Sequence, residues 1–380
     1  MTTITLNTLK ATYAELKSAH TELTQSLESL TTEQCGEIRL QEHRKIIDQA
    51  RAAKDLFQER LSELFVRLPD GRMLERQQYE ALERFAANNS LEVDDLFDRL
   101  TIEGVRVTEC NFSSLGLKTL EGLQGVWSIR ELDVGFNHHL TSLQGIPTQD
   151  IEVIDAPNCG LTGALSPLAG ASKLKKLHVS WNKGHTSLQG IPTQDIEEID
   201  AGGCGLTGDL SVLAGASKLK ILLVYGNKGL KSLQGIPTQK IEVIYAHECG
   251  LTGDLSVLAG ASKLKKLHVS WNKGLTSLKG IPTQEIEVID GGDCGLTGDL
   301  SVLAGASKLK ILKVYDNEGL TSLKGIPTQE IEEIYASNCG LTGDHTFLKA
   351  ANTLRSLNLK KNPNLSLDPS IFAESIEVKL

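Results

Sequence analysis

Residues 264–308 read LKKLHVSWNKGLTSLKGIPTQEIEVIDGGDCGLTGDLSVLAGASK. The chain repeats this stretch nearly unchanged upstream and in part downstream, so the stretch determines the fold. The cysteine of its CGLTG segment recurs at intervals of 45 residues, at Cys159, Cys204, Cys249, Cys294 and Cys339. A fixed period of this length indicates a solenoid, in which each repeat contacts only its neighbours.

Each 45-residue block consists of a 22-residue and a 23-residue unit. Residues 264–272 fit L-x-x-L-x-V-x-x-N, and residues 286–294 fit I-x-x-I-x-A/G-x-x-C. Units of the first type begin at Ile129, Leu174, Leu219, Leu264, Leu309 and Leu354. Units of the second type begin at Ile151, Ile196, Ile241, Ile286 and Ile331, and a truncated copy begins at Ile376. Apolar and polar residues alternate within each unit, which predicts one strand per unit and a parallel sheet when the strands stack.

These units resemble the leucine-rich repeat family, whose signature is L-x-x-L-x-L-x-x-N/C-x-L, over about two thirds of the chain. The resemblance implies an α/β solenoid with a curved parallel β-sheet. It also implies a ladder in which the Asn or Cys at position 9 bonds to the backbone of a neighbouring coil. The Leu-Thr-Gly-Asp-Leu segments are similar to plant-type repeats, and the Ile-Pro-Thr-Gln segments are similar to those of bacterial effectors.

The first hundred residues lack the repeat and predict a separate α-helical module, residues 1–100, before a solenoid at 101–380. Apolar residues at heptad spacing predict a first helix, with the seam Leu6, Leu9, Tyr13, Leu16, His20, Leu23, Leu27 and Leu30. A second helix is predicted from about Thr32 to Leu68, forming a hairpin with the first. Two shorter helices are predicted near Met73–Ala87 and Leu91–Leu100. The module either caps the solenoid or serves as a coiled-coil oligomerisation or docking arm.

Composition restricts the partners. The net charge is −9 and no basic block occurs, so we expect neither nucleic acid nor an anionic membrane as partner. Neither a secretory signal nor an apolar run long enough to span a membrane is visible. Successive in-register cysteines are expected about 9–10 Å apart, too far for disulfides. We therefore expect reduced structural thiols, with Cys110 in a similar place in an irregular first coil, and a cytoplasmic location.

No catalytic motif is present, so we expect no enzyme and no cofactor. Five equivalent cysteines indicate a structural role, since a catalytic thiolate is a single activated group. One row of residues on neighbouring strands could have a chemical role, because Asp155 and Asp200 would flank His178. This row is either a metal or acid–base site or a solvated set of charges.

The family's geometry implies that positions 3, 5 and 7 of each unit face the concave surface and position 8 its rim. Aromatic residues form only 4% of the chain, yet most tyrosines and tryptophans fall at positions 5, 7 or 8. We predict a partner-binding surface there, comprising Phe136, His178, Trp181, Leu223, Tyr225, Tyr245, His247, His268, Trp271, Tyr315 and Tyr335. Alternatively, Trp181 and Trp271 simply cover the turn after the strand.

The resulting functional prediction is a non-enzymatic scaffold that binds a protein partner on the concave face. A secreted bacterial effector that scaffolds host proteins is one alternative, and a metal-dependent activity at the His178 row is a weaker one. We expect a monomer, with oligomerisation through the N-terminal helices as the alternative. Position 2 alternates basic and acidic residues from Arg130 to Glu377, which favours the stacking register. His185 replaces a leucine found in four equivalent units, which suggests a tolerated, weaker coil.

Overall fold

The computed structural model describes residues 6–29 and 37–380. Helices and one small antiparallel strand pair precede the main sheet. Their bounds are α1 Leu6–Ser29, α2 Glu37–Leu64, the strands Phe65–Arg67 and Met73–Glu75, α3 Arg76–Asn89 and α4 Asp94–Phe97. Helix α1 packs against α2, and the ring centroids of Tyr13 and Phe57 lie 6.1 Å apart between them. Helix α2 ends at Leu64 and a strand begins at Phe65, whereas the sequence predicts helix as far as Leu68.

Within the described residues, the repeats form a 14-stranded sheet whose strand order follows the chain. The first two strands are antiparallel, and every later neighbour is parallel. The strands are Leu100–Glu103, Arg106–Asn111, Glu131–Asp133, Val153–Asp155, Lys176–His178, Glu198–Asp200, Ile221–Leu223, Val243–Tyr245, Lys266–His268, Val288–Asp290, Ile311–Lys313, Glu333–Tyr335, Ser356–Asn358 and Glu377–Lys379. The predicted leucine-rich-repeat architecture is confirmed.

The return path of each coil is short and mostly irregular. It contains 3₁₀ helices at Leu123–Gly125, Ser166–Leu168, Ser211–Leu213, Ser256–Leu258, Ser301–Leu303, Thr346–Ala350 and Pro369–Ile371. Two-residue strands bridge neighbouring coils at Thr207–Gly208 with Gly229–Leu230, at Thr252–Gly253 with Gly274–Leu275, and at Gly343–Asp344 with Leu365–Ser366. The apolar residues of each coil point inward and join one continuous core that also includes Phe85 and Leu82 of α3. Helix α3 thus closes the N-terminal end of that core.

The asparagine ladder predicted at position 9 is confirmed. Asn272 donates from Nδ2 to the carbonyl oxygens of Ala246 in the preceding coil, at 2.8 Å, and of Val269 in its own coil, at 2.8 Å. Its Oδ1 accepts from the amide of Leu251 at 3.0 Å. Asn227 repeats these contacts. Each buried amide therefore joins two coils with its donors and acceptor paired.

The cysteine ladder uses the same position in the alternate units. Each thiol is buried and donates to the carbonyl oxygen of the valine at position 6 of the preceding coil, for example Cys249 to Val224 at 3.1 Å. Burial raises the pKa of Cys204, Cys249, Cys294 and Cys339 to about 11. Cys35 lies outside the described residues.

The position of Cys110 in the first coil differs from the prediction. Cys110 pairs in register with Leu132, so it occupies the core-facing position 4 and not the ladder position. The antiparallel pairing of residues 100–103 with 106–111 sets this register, and it includes a bulge at Thr101/Ile102. Irregular pairing of this kind leaves no repeat signal in the sequence.

The charges at position 2 form ion pairs between neighbouring coils. Lys175, Lys220 and Lys265 each contact the glutamate of the preceding unit, with N–O distances of 2.7, 2.6 and 2.8 Å. Their side chains are 43–46% exposed, so each pair contributes at most about 1 kcal/mol. The row is consistent with a role in register as far as Arg355, whereas Glu377 pairs with Ser356 at position 3 and so lies one position later than predicted.

Candidate functional site

The predicted surface residues lie on the face of the sheet opposite the core. In the parallel strands from Arg106–Asn111 to Ser356–Asn358 the position 4 residue is buried, while its neighbours at positions 3 and 5 are partly or fully exposed, with Asp290 as an exception. Parallel pairing places equal positions side by side, so Tyr245 lies between Leu223 and His268. The sheet therefore brings side chains from distant parts of the sequence into rows across the strands.

Six of the predicted residues form one connected group of rings, which we call the aromatic stripe: Trp181, Tyr225, Tyr245, His247, His268 and Trp271. Trp181 and Tyr225 meet edge to face at 6.1 Å between centroids. Tyr225 then stacks on His247 at 5.0 Å with an interplanar angle of 3°. His247 meets Trp271 at 6.3 Å. The stripe thus continues across the sheet from the strand of Lys176–His178 to that of Lys266–His268.

A second branch of the stripe runs through position 5. The Tyr245 ring lies 4.2 Å from His268 and 6.5 Å from His247, measured between centroids. Burial against these neighbours lowers the pKa of both His247 and His268. Both imidazoles are consequently neutral at pH 7, and the centre of the stripe presents rings without charge. Leu223 lies beside Tyr245 and adds apolar surface.

Two glycines make room for the stripe. A Cβ at Gly202 would lie 2.3 Å from the Tyr225 ring, and a Cβ at Gly203 would lie 2.7 Å from the Trp181 ring. Any side chain here would displace one of the rings. A Cβ at Gly292 would likewise collide with the Tyr315 ring. Gly202 and Gly292 each lie one strand before a position 7 tyrosine, which is a signal that the sequence itself contains.

The backbone at position 8 is left-handed in every complete unit. The residues there are Phe136, Asn158, Trp181, Gly203, Gly226, Glu248, Trp271, Asp293, Asp316, Asn338 and Lys361, with φ between 49° and 68°. Glycine, asparagine and aspartate tolerate this conformation, whereas a bulky side chain is strained in it. Yet Trp181 and Trp271 occupy it while 52% and 49% exposed. The fold therefore covers only about half of each tryptophan at this position.

The remaining predicted residues lie outside the stripe. Phe136 is 54% exposed on the N-terminal side. Tyr335 lies on the C-terminal side, where Lys313 Nζ is 5.8 Å from its ring centroid and its hydroxyl donates to Glu333 Oε2 at 3.1 Å. Tyr315 belongs to the same unit as Lys313, and its ring lies against Gly292 of the preceding unit. The eleven predicted residues thus comprise a connected centre and separate flanks.

His178 belongs to a different environment. Its Nδ1 lies 2.5 Å from Asp155 Oδ1, and this hydrogen bond raises the pKa of His178. Asp200 pairs with it in register on the other side, as predicted. Glu198, which the sequence analysis did not single out, brings Oε1 to 3.4 Å from Nε2, although without hydrogen-bond geometry. In this row His178 is hydrogen-bonded to the carboxylate of Asp155.

Within residues 6–29 and 37–380, no group of three or more His, Cys, Asp or Glu side chains is arranged to hold a metal ion. No helix in these ranges combines the length and apolarity needed to cross a membrane.

Comparison with known proteins gives structural matches only. No protein-family model matches the sequence, and no curated protein matches it. The LRR ectodomain of the receptor kinase GASSHO1/SCHENGEN3 from Arabidopsis thaliana, in complex with CASPARIAN STRIP INTEGRITY FACTOR 2, has a TM-score of 0.60 at 20% identity. That match covers 77% of this chain and 42% of the ectodomain.

Two bacterial proteins also match. An internalin from Listeria monocytogenes has a TM-score of 0.56 at 13% identity, and the match covers 80% of this chain and 94% of the internalin. An LRR protein from Leptospira interrogans has a TM-score of 0.51 at 18% identity, with 68% and 79% of the two chains covered. At such identities the similarity concerns the fold.

Proposed function

We propose that this chain, which has the leucine-rich repeat fold, is a non-enzymatic scaffold that binds a protein partner through the aromatic stripe. The observation that carries the proposal is the connected row of rings from Trp181 to Trp271 on an exposed, rigid sheet. Aromatic side chains on a rigid support lose little entropy on binding and dominate the energy of many interfaces. The Arabidopsis ectodomain of the same fold was solved with a bound factor, which is consistent with such a role.

The strained backbone supports the same assignment. A left-handed residue with a side chain costs on the order of 1–2 kcal/mol relative to the right-handed form. At Trp181 and Trp271 this cost is not offset by deep burial, since about half of each side chain is exposed. Every complete unit adopts this conformation at position 8, so the fold requires the conformation but not a tryptophan, and strained residues are common at functional positions. We infer that the tryptophans serve the partner and not the turn alone.

The charges around the stripe suggest how a partner is oriented. The N-terminal part of the concave face carries Glu131, Asp133 and Asp155, whereas the stripe itself is neutral. Beyond the stripe Lys313 lies between Asp290 and Tyr335, so this end is not uniformly basic. A partner with apolar side chains at its centre and a basic end toward Asp133 would match this order.

Affinity capture from a native lysate tests the proposal. The intact chain is compared with the double variant Tyr225→Ala/Tyr245→Ala and with a control, Val257→Ser/Val302→Ser. The control valines are 40% and 38% exposed and lie in 3₁₀ helices outside the sheet. We expect the control to recover the same protein as the intact chain, and the tyrosine variant to lose it. Recovery by all three at equal yield would contradict binding at the stripe.

A second proposal concerns the biological setting. The Ile-Pro-Thr-Gln segments motivate a delivered bacterial effector that scaffolds host proteins, whereas the buried, unpaired thiols favour a resident protein of a reducing compartment such as the cytoplasm. Appearance of the chain in culture medium only under delivery-inducing conditions would support the effector. Retention in the cells under those conditions would support the resident scaffold.

A further inference from the structure

A second apolar surface lies far from the stripe in the sequence, between α1 and α2. It is a trough of about 720 Å³, which we call the hairpin groove. The residues that line it are Tyr13, Leu16, Lys17, His20, Ile47, Ala50, Arg51, Lys54, Phe57, Gln58 and Leu61. Nothing in the proposed binding at the stripe uses this groove.

The two helices leave their apolar faces incomplete. Among the hairpin side chains that the structure describes, none is buried. Phe57 and Leu61 are only partly covered, and Tyr13 is 57% exposed. An amphipathic helix is stabilised chiefly by covering its apolar face, and two helices alone cover only one side of each. The geometry therefore leaves room for one further element along the hairpin.

The shape of the groove fits a helix. Its lining residues on α2 run from Ile47 to Leu61, a length of about 21 Å at 1.5 Å per residue. Both walls are helices, whose backbone groups are already paired within the helix, so an added strand would find no main-chain partners. A helix that lays one apolar stripe into such a trough needs only side-chain contacts.

The charges at the rim identify the kind of helix. The cations Lys17, Arg51 and Lys54 line the groove, and no carboxylate is among its described lining residues. Arg51 Nη1 lies 3.8 Å from Asp48 Oδ1, and both side chains are exposed. Among the side chains that the structure describes, no carboxylate forms an ion pair with Lys17 or Lys54. A second copy packed groove against groove would bring the same cations together, which is unfavourable.

We propose that the hairpin groove binds an amphipathic helix of a partner protein, whose apolar stripe is flanked by acidic residues. Apolar side chains of that helix pack over Tyr13, Ile47 and Phe57, which line the groove. Its flanking carboxylates meet Lys17 on one wall and Lys54 on the other. The solenoid would then hold one partner at the stripe and the hairpin a second.

The test uses the full chain and synthetic peptides. The probe is a labelled 18-residue helix with leucines at i, i+3, i+4 and i+7 spacing and glutamates beside them, and its matched control carries lysines in place of the glutamates. Fluorescence anisotropy measures both affinities at low and high salt. We expect the glutamate peptide to bind at least tenfold more tightly than the lysine peptide, with a preference that shrinks as salt rises.

Variants separate the groove from other surfaces. Lys17→Glu/Lys54→Glu exchanges exposed charges, so the hairpin should still fold, and we expect the preference to reverse toward the lysine peptide. Tyr225→Ala/Tyr245→Ala should bind the glutamate peptide as the parent does, because the stripe is a different surface. Equal binding of both peptides, or an unchanged preference in the charge-exchange variant, would overturn the proposal. So would a dimer in light scattering that the glutamate peptide fails to dissociate, because the occupant would then be a second copy.

Discussion

The units that begin at Leu174 and Leu264 carry the same ten residues, LKKLHVSWNK, and nonetheless form different surfaces. His178 lies beside Asp155, which raises the pKa of this histidine. His268 lies beside the Tyr245 ring, and burial lowers its pKa. In a stacked sheet the chemistry of a residue therefore depends on the neighbouring strand as much as on its own unit.

The cores of these two units are much more alike than their surfaces. Asn182 makes the same set of ladder bonds as Asn272, to Ala156, Val179 and Leu161. One core position differs, since His185 stands where the later unit has Leu275, and both are buried. Comparing the two units thus separates what the repeat requires for folding from what single residues add for binding.

The largest effect should come from the ladder. Asn182→Leu and Asn272→Leu each leave backbone groups of two coils without partners, at about 1–3 kcal/mol for each buried group. We expect a clear and similar fall in the urea midpoint for both variants. Asn158→Gly is the control, because its side chain has no ladder bonds and its left-handed φ of 52° suits glycine.

A large difference between the two asparagine variants would show that the ladder depends on surface neighbours. An unchanged midpoint in both would contradict the ladder itself.

The second-largest effect on stability is expected at His185, which stands where the later unit has Leu275. Burial lowers the pKa of His185, so the unfolded chain binds more protons as the pH falls below about 6.5. Stability is lost there by at most about 1.4 kcal/mol per pH unit for this group. We expect His185→Leu to be more stable than the parent at pH 5.5 and to depend less on pH. Chemical denaturation at pH 5.5 and 7.5 measures both.

His345 contributes a pH dependence of the same sign, because burial lowers its pKa as well. The His185→Leu variant should therefore keep part of the acid sensitivity. Identical midpoints of variant and parent at pH 5.5 would contradict a buried, neutral His185.

A smaller effect distinguishes the two surface histidines. In the folded chain, nuclear magnetic resonance titration should find the pKa of His178 above the ordinary value of about 6.5 and that of His268 below it. Asp155→Asn should lower the pKa of His178 and leave His268 unchanged. The pair with Asp155 stabilises the fold by less than about 1 kcal/mol, since both groups are partly exposed. This stabilisation is present below pH 6.5 and is lost as the pH rises through the folded-state pKa.

The smallest effect on stability is expected at the strained tryptophans. Trp271→Asn relieves the left-handed backbone and loses the contact with His247, so the two changes oppose each other. We expect the unfolding free energy to stay within about 0.5 kcal/mol of the parent, as for surface substitutions. A loss of several kcal/mol would mean that Trp271 stabilises the turn, which was the alternative interpretation.

The sequence could predict whatever the 45-residue period controls. Strands, core positions, both ladders and the rows of equal positions follow from the period, because stacked units must align. The register of Cys110 and the strand at Phe65–Arg67 could not be found in this way, since neither belongs to a repeat. Ring stacking of Tyr225 on His247 depends on rotamers that no spacing specifies.

The left-handed backbone at position 8 could also be predicted from the sequence. Position 8 carries asparagine, aspartate or glycine in most units, at Asn158, Gly203, Gly226, Asp293, Asp316 and Asn338. That composition is typical of a left-handed backbone. It would have marked Trp181 and Trp271 as exceptions from the sequence alone.

The most direct test of binding at the aromatic stripe is a calorimetric titration with the protein recovered by the intact chain. The dissociation constant is measured for the parent, for Tyr225→Ala/Tyr245→Ala and for Val257→Ser/Val302→Ser, all with the same urea midpoint. Loss of central aromatic contacts should weaken binding by about 2 kcal/mol or more, roughly 30-fold, in the tyrosine variant alone. Equal dissociation constants for the parent and the tyrosine variant would contradict the account.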